Sequence, residues 1–235
     1  MGDISDQRAV CHAAFVCEAL DPPAVAAPPG AAPAAADPAA AALGHLRAAL
    51  RRLWQRVKWE PRHKEVFWRL AVDGIGMPGT SHLPAVPLEP CACGAHPPAA
   101  APGALPASPR LHHFWACELL APLRAVLEAG VGCGVRRMHL WLCRSPDPEH
   151  ARPCVWDVVA LAALNAMEWA RRQMHARRLH GGVVADAVAA GAVAKFWTLL
   201  HDFAGLGVPR KGWGAVGADH PFLRVVGGVL VCAEP

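Results

Sequence analysis

The chain lacks tyrosine, has few charged residues and contains no long uninterrupted apolar run. Its 235 residues include nine Trp and six Phe but no Tyr, so aromatic packing must rest on Trp and Phe. The missing Tyr excludes any mechanism that needs a phenol. The most apolar run, residues 155–167, contains Asp157. Because a bilayer span needs about 20 residues, this shorter run predicts a buried helix and not a membrane segment.

The N-terminal residues have neither a basic start nor an apolar run, so no secretory signal is visible. The chain carries nine cysteines, an odd number, and without an export signal disulfides are not expected. Reduced core thiols and metal ligands are the remaining roles. We therefore expect an intracellular protein, nuclear or cytoplasmic, that is neither secreted nor membrane-bound.

Two stretches of Pro/Ala low complexity divide the chain, at residues 21–40 and 96–109. Proline removes backbone donors and alanine buries little surface, so such stretches are typical of linkers and surface loops. We expect an N-terminal segment with a disordered linker at 1–42, a compact module at 43–130 and a C-terminal helical extension at 131–235.

Apolar periodicity predicts a mainly α fold, a small helical domain with a cysteine-bearing loop, flanked by Pro/Ala-rich linkers. One helix is predicted from Leu43 to Val57, with a stripe that includes Trp54. Further helices are predicted after Pro61, from Ser108 to Gly130, and over residues 154–179 and 183–204. Alternation favours a strand over residues 135–143, and the tail favours a short hairpin that turns at Gly227 and Gly228.

The residues with the clearest chemistry are a close cysteine pair followed by histidines and a third cysteine. Cys91 and Cys93 precede a loop, and His112, His113 and Cys117 lie in the predicted helix that follows. Thiolate and imidazole are the ligands that zinc prefers, usually four in a tetrahedron. The pattern predicts a structural Zn²⁺ site with ligands Cys91, Cys93, His112 and Cys117.

Spacing alone leaves the histidine ligand open. His113 and Cys117 are four residues apart and share a helix face, whereas His112 is five residues from Cys117. Two cysteines two residues apart point to opposite sides of an extended chain, so a bend at Gly94 is needed to bring both to one ion. His113 and His96 are therefore alternative ligands.

The residues around these ligands resemble a known domain. The segments "HKEVFWRLAVDGIGMPGTSHL", "PCACG" and "RLHHFWACELLAPLRAVLEA" are similar, in order and aromatic context, to the zinc-binding domain of reverse transcriptases from non-LTR retrotransposons. The resemblance covers roughly residues 60–130 and favours His112 over His113 as the ligand. The chain contains no polymerase of the kind that precedes this domain in the family. Its matching positions are Lys64, Phe67, Trp68, Arg69, Leu70, Gly74, Ile75, Leu83, Cys91, Cys93, Gly94, His112, Phe114, Trp115 and Cys117.

The resemblance implies a retrotransposon-derived, non-catalytic zinc-binding module that contacts RNA or DNA, or a partner protein. The chain has a net charge of +4, which is compatible with a polyanionic partner. The candidate nucleic-acid contacts are Arg47, Arg51, Arg52, Arg56, His63 and Lys64. The alternative is a metal-free helical protein-interaction module whose basic face is only solvated. No small-molecule substrate and no catalytic motif is evident.

Overall fold

The computed structural model describes residues 4–20, 38–75, 91, 93, 109–146, 153–179, 185–206, 220–227 and 229–233. Within these ranges the chain forms eight α-helices and one two-stranded sheet, which confirms the prediction of a mainly α fold. The predictions for residues 21–37 and 96–108, and for Leu83, Gly94 and His96, lie outside the described residues. None of the described helices is long and apolar enough to cross a membrane.

The first three helices are α1 (Ile4–Ala19), α2 (Pro38–Gln55) and α3 (Pro61–Ala71). Helix α2 begins within the stretch predicted as linker, because proline is tolerated in a first helical turn and alanine has the highest helix propensity. It buries Ala42, Leu46, Ala49 and Leu53, at steps of three and four residues. Trp54 was predicted to lie on this stripe, but it faces solvent with 50% of its surface exposed.

The helix predicted from Ser108 to Gly130 is in fact interrupted. It consists of α4 (Pro109–Leu111), a π-helical turn (His112–Ala116), a 3₁₀ turn (Glu118–Leu120) and α5 (Ala121–Val131). Cys117 between the turns is extended, with φ −60° and ψ 128°. Gly132, at φ 67°, ends α5. Gly130 lies inside α5, where a Cβ atom would come within 2.2 Å of the Phe222 ring.

The strand predicted over residues 135–143 is wrong, because the chain there forms the short helix α6 (Arg137–Trp141). The alternating pattern was misleading because residues of both kinds are buried in this segment, so it has no separate polar face. The buried residues are Arg137, His139, Leu140 and Trp141. The His139 imidazole instead accepts a hydrogen bond from the Arg136 backbone N–H at 2.9 Å, which caps the start of the helix.

The C-terminal part follows the prediction closely. It contains the long helices α7 (Pro153–Leu179) and α8 (Ala185–Gly205) and the antiparallel strands β1 (Leu223–Val226) and β2 (Val229–Cys232). The hairpin turns at Gly227, which adopts a positive φ of 56° that glycine accepts at little cost. The run from Val155 to Met167 is buried nearly all round, as predicted.

One hydrophobic core draws residues from all three predicted segments of the chain. The boundaries at residues 42 and 130 stay a prediction, but the described helices on either side of them pack together. The largest fully buried side chains are aromatic, as the composition requires: Trp141, Phe15, Phe67, Phe114, Phe196, Phe203 and Phe222.

Two arginines connect distant parts of the chain to this core. Arg110 donates hydrogen bonds to both carboxylate oxygens of Glu18 on α1, at 2.8 and 2.9 Å, and to the backbone carbonyl of Leu70 at the end of α3, at 2.9 Å. Arg52 pairs with the fully buried Asp157 on α7 at 2.9 and 3.0 Å. Arg110 thereby ties α1 and α3 to α4, next to the turn that carries His112, and Arg52 ties α2 to α7.

Candidate metal centre

The structure brings Cys91, Cys93, His112 and Cys117 together. Their ligand atoms all lie within 4.8 Å of one another. The Sγ atoms of Cys91 and Cys117 are 3.7 Å apart, and the Cys93 Sγ is 3.6 Å from the His112 Nε2. These four residues are the predicted ligands, and this cluster can hold a metal ion.

Two of the distances between these ligand atoms match the edges of a tetrahedral zinc site. Zinc lies about 2.3 Å from thiolate sulfur and about 2.0–2.1 Å from imidazole nitrogen. In a regular tetrahedron these bond lengths place two sulfurs about 3.8 Å apart and a sulfur and a nitrogen about 3.5 Å apart. The two measured edges therefore differ from a zinc site by about 0.1 Å, which is within the tolerance of a plausible site.

A π-helical turn selects the histidine. The backbone N–H of Cys117 donates to the carbonyl of His112 at 2.8 Å, a bond that spans five residues instead of four. This wider turn puts residues five apart on one side of the helix, whereas an α-helix would have paired His113 with Cys117. The turn therefore explains how a five-residue spacing supplies two ligands to one cluster.

Side chains bind the backbone carbonyl groups around this interruption. Arg124 on α5 donates to the backbone carbonyl of Trp115, and to that of Cys117 at 3.0 Å. The Trp141 indole N–H donates to the carbonyl of Phe114 at 3.3 Å. A helix end inside a protein needs such partners, so these contacts hold the ligand-bearing turn in its π-helical form.

The cluster lies against the core instead of on an open surface. Cys117 is fully buried, and the other three ligands are half-buried. The Sδ atom of Met174 on α7 lies 3.7 Å from the Cys91 Sγ. Four protein ligands fill a tetrahedral coordination sphere, as is typical of structural sites, and leave no open position for a substrate.

The thiols interact strongly with one another. A hydrogen bond with Cys117 lowers the pKa of Cys91 to about 3, and the same contact, with burial, raises the pKa of Cys117 well above its ordinary value. Cys91 therefore loses its proton more readily than Cys117. A bound cation would remove this difference, because it favours the thiolate form of every coordinating cysteine.

Of the two alternative ligands, His113 and His96, the structure describes only His113. His113 is not among the four clustered residues, and its ring stands edge-on to that of His112 with centroids 5.1 Å apart. Burial lowers its pKa to about 4, so the imidazole is neutral at neutral pH. His96 lies outside the described residues.

Five of the six predicted nucleic-acid residues fall into two groups, exposed and engaged. Arg47, Arg51 and Arg56 are exposed on or just after α2. Arg52 and Lys64 are not free to meet a phosphate: the first holds Asp157, and the second is 6% exposed with its ammonium 5.3 Å from the Trp54 ring centroid.

His63, the remaining candidate, is half-buried. Its imidazole stacks on Trp59 with ring centroids 4.5 Å apart, and burial lowers its pKa. At neutral pH the ring is therefore uncharged, so it offers a phosphate a hydrogen bond and no charge.

Three residues that support the cluster were not found from the sequence. The sequence did not indicate a supporting role for Arg110 or Arg124, because a lone arginine in a helical stretch is usually solvated. Met174 had none either, because a methionine in an apolar helix is usually core. One residue in the sequence indicates the interruption at Cys117. Pro122 has no backbone N–H to donate inside a continuous helix, and it lies in the first turn of α5 instead.

Comparisons of the chain with protein-family models, with curated proteins and with solved structures found no match. The resemblance to the reverse transcriptase zinc-binding domain therefore rests on the order and spacing of its motifs and stays a prediction. The metal-binding geometry stands independently of it.

Proposed function

We propose that the protein is a non-catalytic zinc-binding module in which Zn²⁺ fixes the Cys91–Cys93 segment against the turn that carries His112 and Cys117. The observation that carries this proposal is the set of four soft donors within 4.8 Å of one another, two of whose spacings match those of a tetrahedral zinc site. Three thiolates and one imidazole select zinc over the harder ions magnesium and calcium, which prefer oxygen ligands.

The role of the ion is structural. All four positions of a tetrahedron are filled by protein atoms, so a substrate or water has no place on the metal. The segment at Cys91 and Cys93 belongs to no described helix or strand, so the ion supplies a link that regular backbone hydrogen bonding does not. Because the ligands come from two separate segments, metal binding stabilises their folded arrangement.

Cobalt(II) titration of metal-free protein tests this proposal. A tetrahedral site with three thiolates gives intense ligand-field and charge-transfer absorption, and added zinc should abolish the signal at one equivalent. Cys91→Ser combined with His112→Ala should remove the signal. A metal-free interaction module, the alternative function, predicts no cobalt signal and a stability that the two substitutions leave unchanged.

The same proposal includes contact with nucleic acid through the exposed arginines of α2. Arg47 and Arg51 lie one helical turn apart, and Arg56 follows the end of the helix. This part is supported by the motif resemblance and by the exposure of these three cations. Three phosphate contacts on duplex DNA give a slope of log K against log salt of roughly −3.

Fluorescence anisotropy with a labelled duplex at several salt concentrations measures that slope. The triple variant Arg47→Gln, Arg51→Gln and Arg56→Gln should lose most of the salt-dependent binding. Arg144→Gln, an exposed arginine just beyond α6, is the matched control. Binding that is insensitive to salt, or equal in both variants, would remove nucleic acid from the proposed function without affecting the metal site.

A further inference from the structure

A second feature, separate from the metal cluster, is a cleft of about 430 Å³ where α3, α7 and α8 meet. This volume lies within the range of small-molecule sites, about 300–1,000 Å³. Each helix contributes one face, so the walls are held by regular backbone structure. The lining residues that matter below are Arg62, His63, Asn165, Trp169, Arg172 and Lys195.

The apolar wall of the cleft is held by close helix packing. The Trp169 ring on α7 lies so near Gly191 on α8 that a Cβ atom there would come within 2.4 Å of it. Only glycine leaves room for the indole at this crossing. Trp169 is half-buried, so part of its ring is in contact with α8 and part is accessible from the cleft.

The floor of the cleft is held by a stack and a hydrogen bond. His63 stacks on Trp59, which in turn contacts Phe203 with ring centroids 5.2 Å apart. The Asn165 side-chain amide donates to the backbone carbonyl of His63 at 2.7 Å. The same nitrogen donates to the backbone carbonyl of Leu161 at 2.8 Å, so the Asn165 carbonyl oxygen and the His63 ring are the polar groups that remain.

The charges around the cleft leave positive groups available. Glu168, 4% exposed, is neutralised by Arg171 and Arg172 together, each with a closest contact of 2.7 Å. Lys195 forms no ion pair with a residue that the structure describes. Arg62 pairs with Glu60, but both side chains are more than half exposed, and such pairs contribute little free energy.

We propose that this cleft binds a small organic anion that carries a flat ring, a ligand of mononucleotide size. Lys195 and Arg62 hold the anionic group, and the ring lies against Trp169, since an indole face and a planar heterocycle stack favourably. Asp202 and Glu65, which also line the cleft, disfavour ligands with several negative charges. The proposal is independent of the zinc site, because none of the lining residues belongs to the cluster.

Calorimetric titration of the full-length protein with AMP and with adenosine tests this inference. AMP should bind at one site per chain and more tightly than adenosine. Lys195→Met should weaken AMP binding by about 10-fold or more, since a lost charge-assisted hydrogen bond has that effect, and leave adenosine nearly unchanged. Trp169→Leu should weaken both ligands. Circular dichroism should show that each variant remains folded.

Arg144→Gln is the matched control, because it removes one exposed positive charge just beyond α6 and does not line the cleft. It should leave AMP affinity unchanged. The proposal is overturned if AMP does not bind, if Lys195→Met binds AMP as the unmodified protein does, or if Arg144→Gln weakens binding as much as Lys195→Met. A site that prefers adenosine to AMP would also overturn it.

Discussion

The metal cluster and the α7–α8 pair are held together by different kinds of contact. Helices α7 and α8 meet through buried apolar side chains and through the close approach of Trp169 to Gly191. The cluster is made of three half-buried residues and the fully buried Cys117, on segments that contain a helix interruption and a close pair of cysteines. Apolar burial stabilises the α7–α8 pair by itself. Holding three thiols together in the metal cluster costs free energy unless a cation binds them.

Two kinds of damage should therefore be separable in this chain. Changes at the α7–α8 pair, or at the ion pair between Arg52 on α2 and Asp157 on α7, should lower the free energy of unfolding without changing metal content. Changes at the cluster should abolish metal binding and make stability independent of metal. The next five expectations are arranged from the largest effect to the smallest.

Removal of metal should give the largest effect. A ligand that binds only the folded state adds about 4 kcal/mol to the free energy of unfolding when it is present at 1,000 times its dissociation constant. Chelation should therefore lower the thermal unfolding midpoint by several degrees, and zinc should restore it. The Cys91→Ser, His112→Ala variant should unfold at the same temperature with and without chelator. An equal response in both proteins would contradict a zinc site at these residues.

Asp157→Ala should be the most damaging single change outside the cluster. Its carboxylate is fully buried and accepts two hydrogen bonds from Arg52, so its loss leaves a partly buried guanidinium uncompensated. We expect a loss of about 3 kcal/mol by denaturant titration. Glu128→Ala, an exposed acid on α5, is the matched control and should change stability by less than about 0.5 kcal/mol. Zinc content should stay the same in both.

His112→Ala and His113→Ala form a pair of neighbouring changes that tests the π-helical turn. Only His112 contributes to the cluster, so its loss should weaken zinc binding by more than about 100-fold, beyond the range for residues that merely support ligands. His113→Ala should alter affinity by less than about threefold. Competition with a coloured zinc indicator measures both. The opposite order would place Cys117 in an α-helical register with His113.

Arg124→Ala tests whether the backbone of the turn matters to the site. Arg124 binds the carbonyls of Trp115 and Cys117 without touching the ligand atoms, so its removal should loosen the turn. We expect zinc affinity to fall about 10-fold, the lower part of the range for supporting residues. Arg144→Ala is the control. An Arg124 variant that loses stability but keeps full zinc affinity would show that the arginine serves packing alone.

The smallest effect concerns pH. Burial, assisted by the charge of Arg62, lowers the pKa of His63, so the folded protein takes up a proton there less readily than the unfolded chain, whose pKa is about 6.5. Stability should thus decline as the pH falls below about 6.5, until the lower folded pKa is passed. The stability of His63→Gln should decline less over this interval than that of the unmodified protein. Parallel curves would contradict the assignment.

Much of the fold was predictable from apolar periodicity. The helices α3, α7 and α8 were predicted because leucine, valine and phenylalanine recur at helical spacing and because proline or glycine marks their ends. The strand over residues 135–143 was wrong because a short segment buried on every side gives no contrast between faces. The start of α2 was misplaced because proline and alanine suit linkers and helix starts equally well.

The candidate site was predictable in its chemistry but not in its support. Cysteine and histidine are scarce enough for their spacing to carry information, and the four predicted ligands are the four that meet. The π-helical turn depends on Arg124 and Trp141, which reach its carbonyls from later helices. Side-chain hydrogen bonds between separate elements leave no periodic pattern in the sequence, whether they span seven residues, as from Arg124 to Cys117, or 27, as from Trp141 to Phe114. For the same reason Arg52 could not be recognised as the partner of a buried aspartate.

The most direct test of the account is the number of zinc ions bound per chain. Elemental analysis of protein purified without added metal, in parallel with the Cys91→Ser, His112→Ala variant, measures it. We predict one zinc ion per chain for the unmodified protein and none for the variant. Unmodified protein without zinc that also fails to take it up on titration, or a variant that retains one ion per chain, would contradict a metal centre at these four residues.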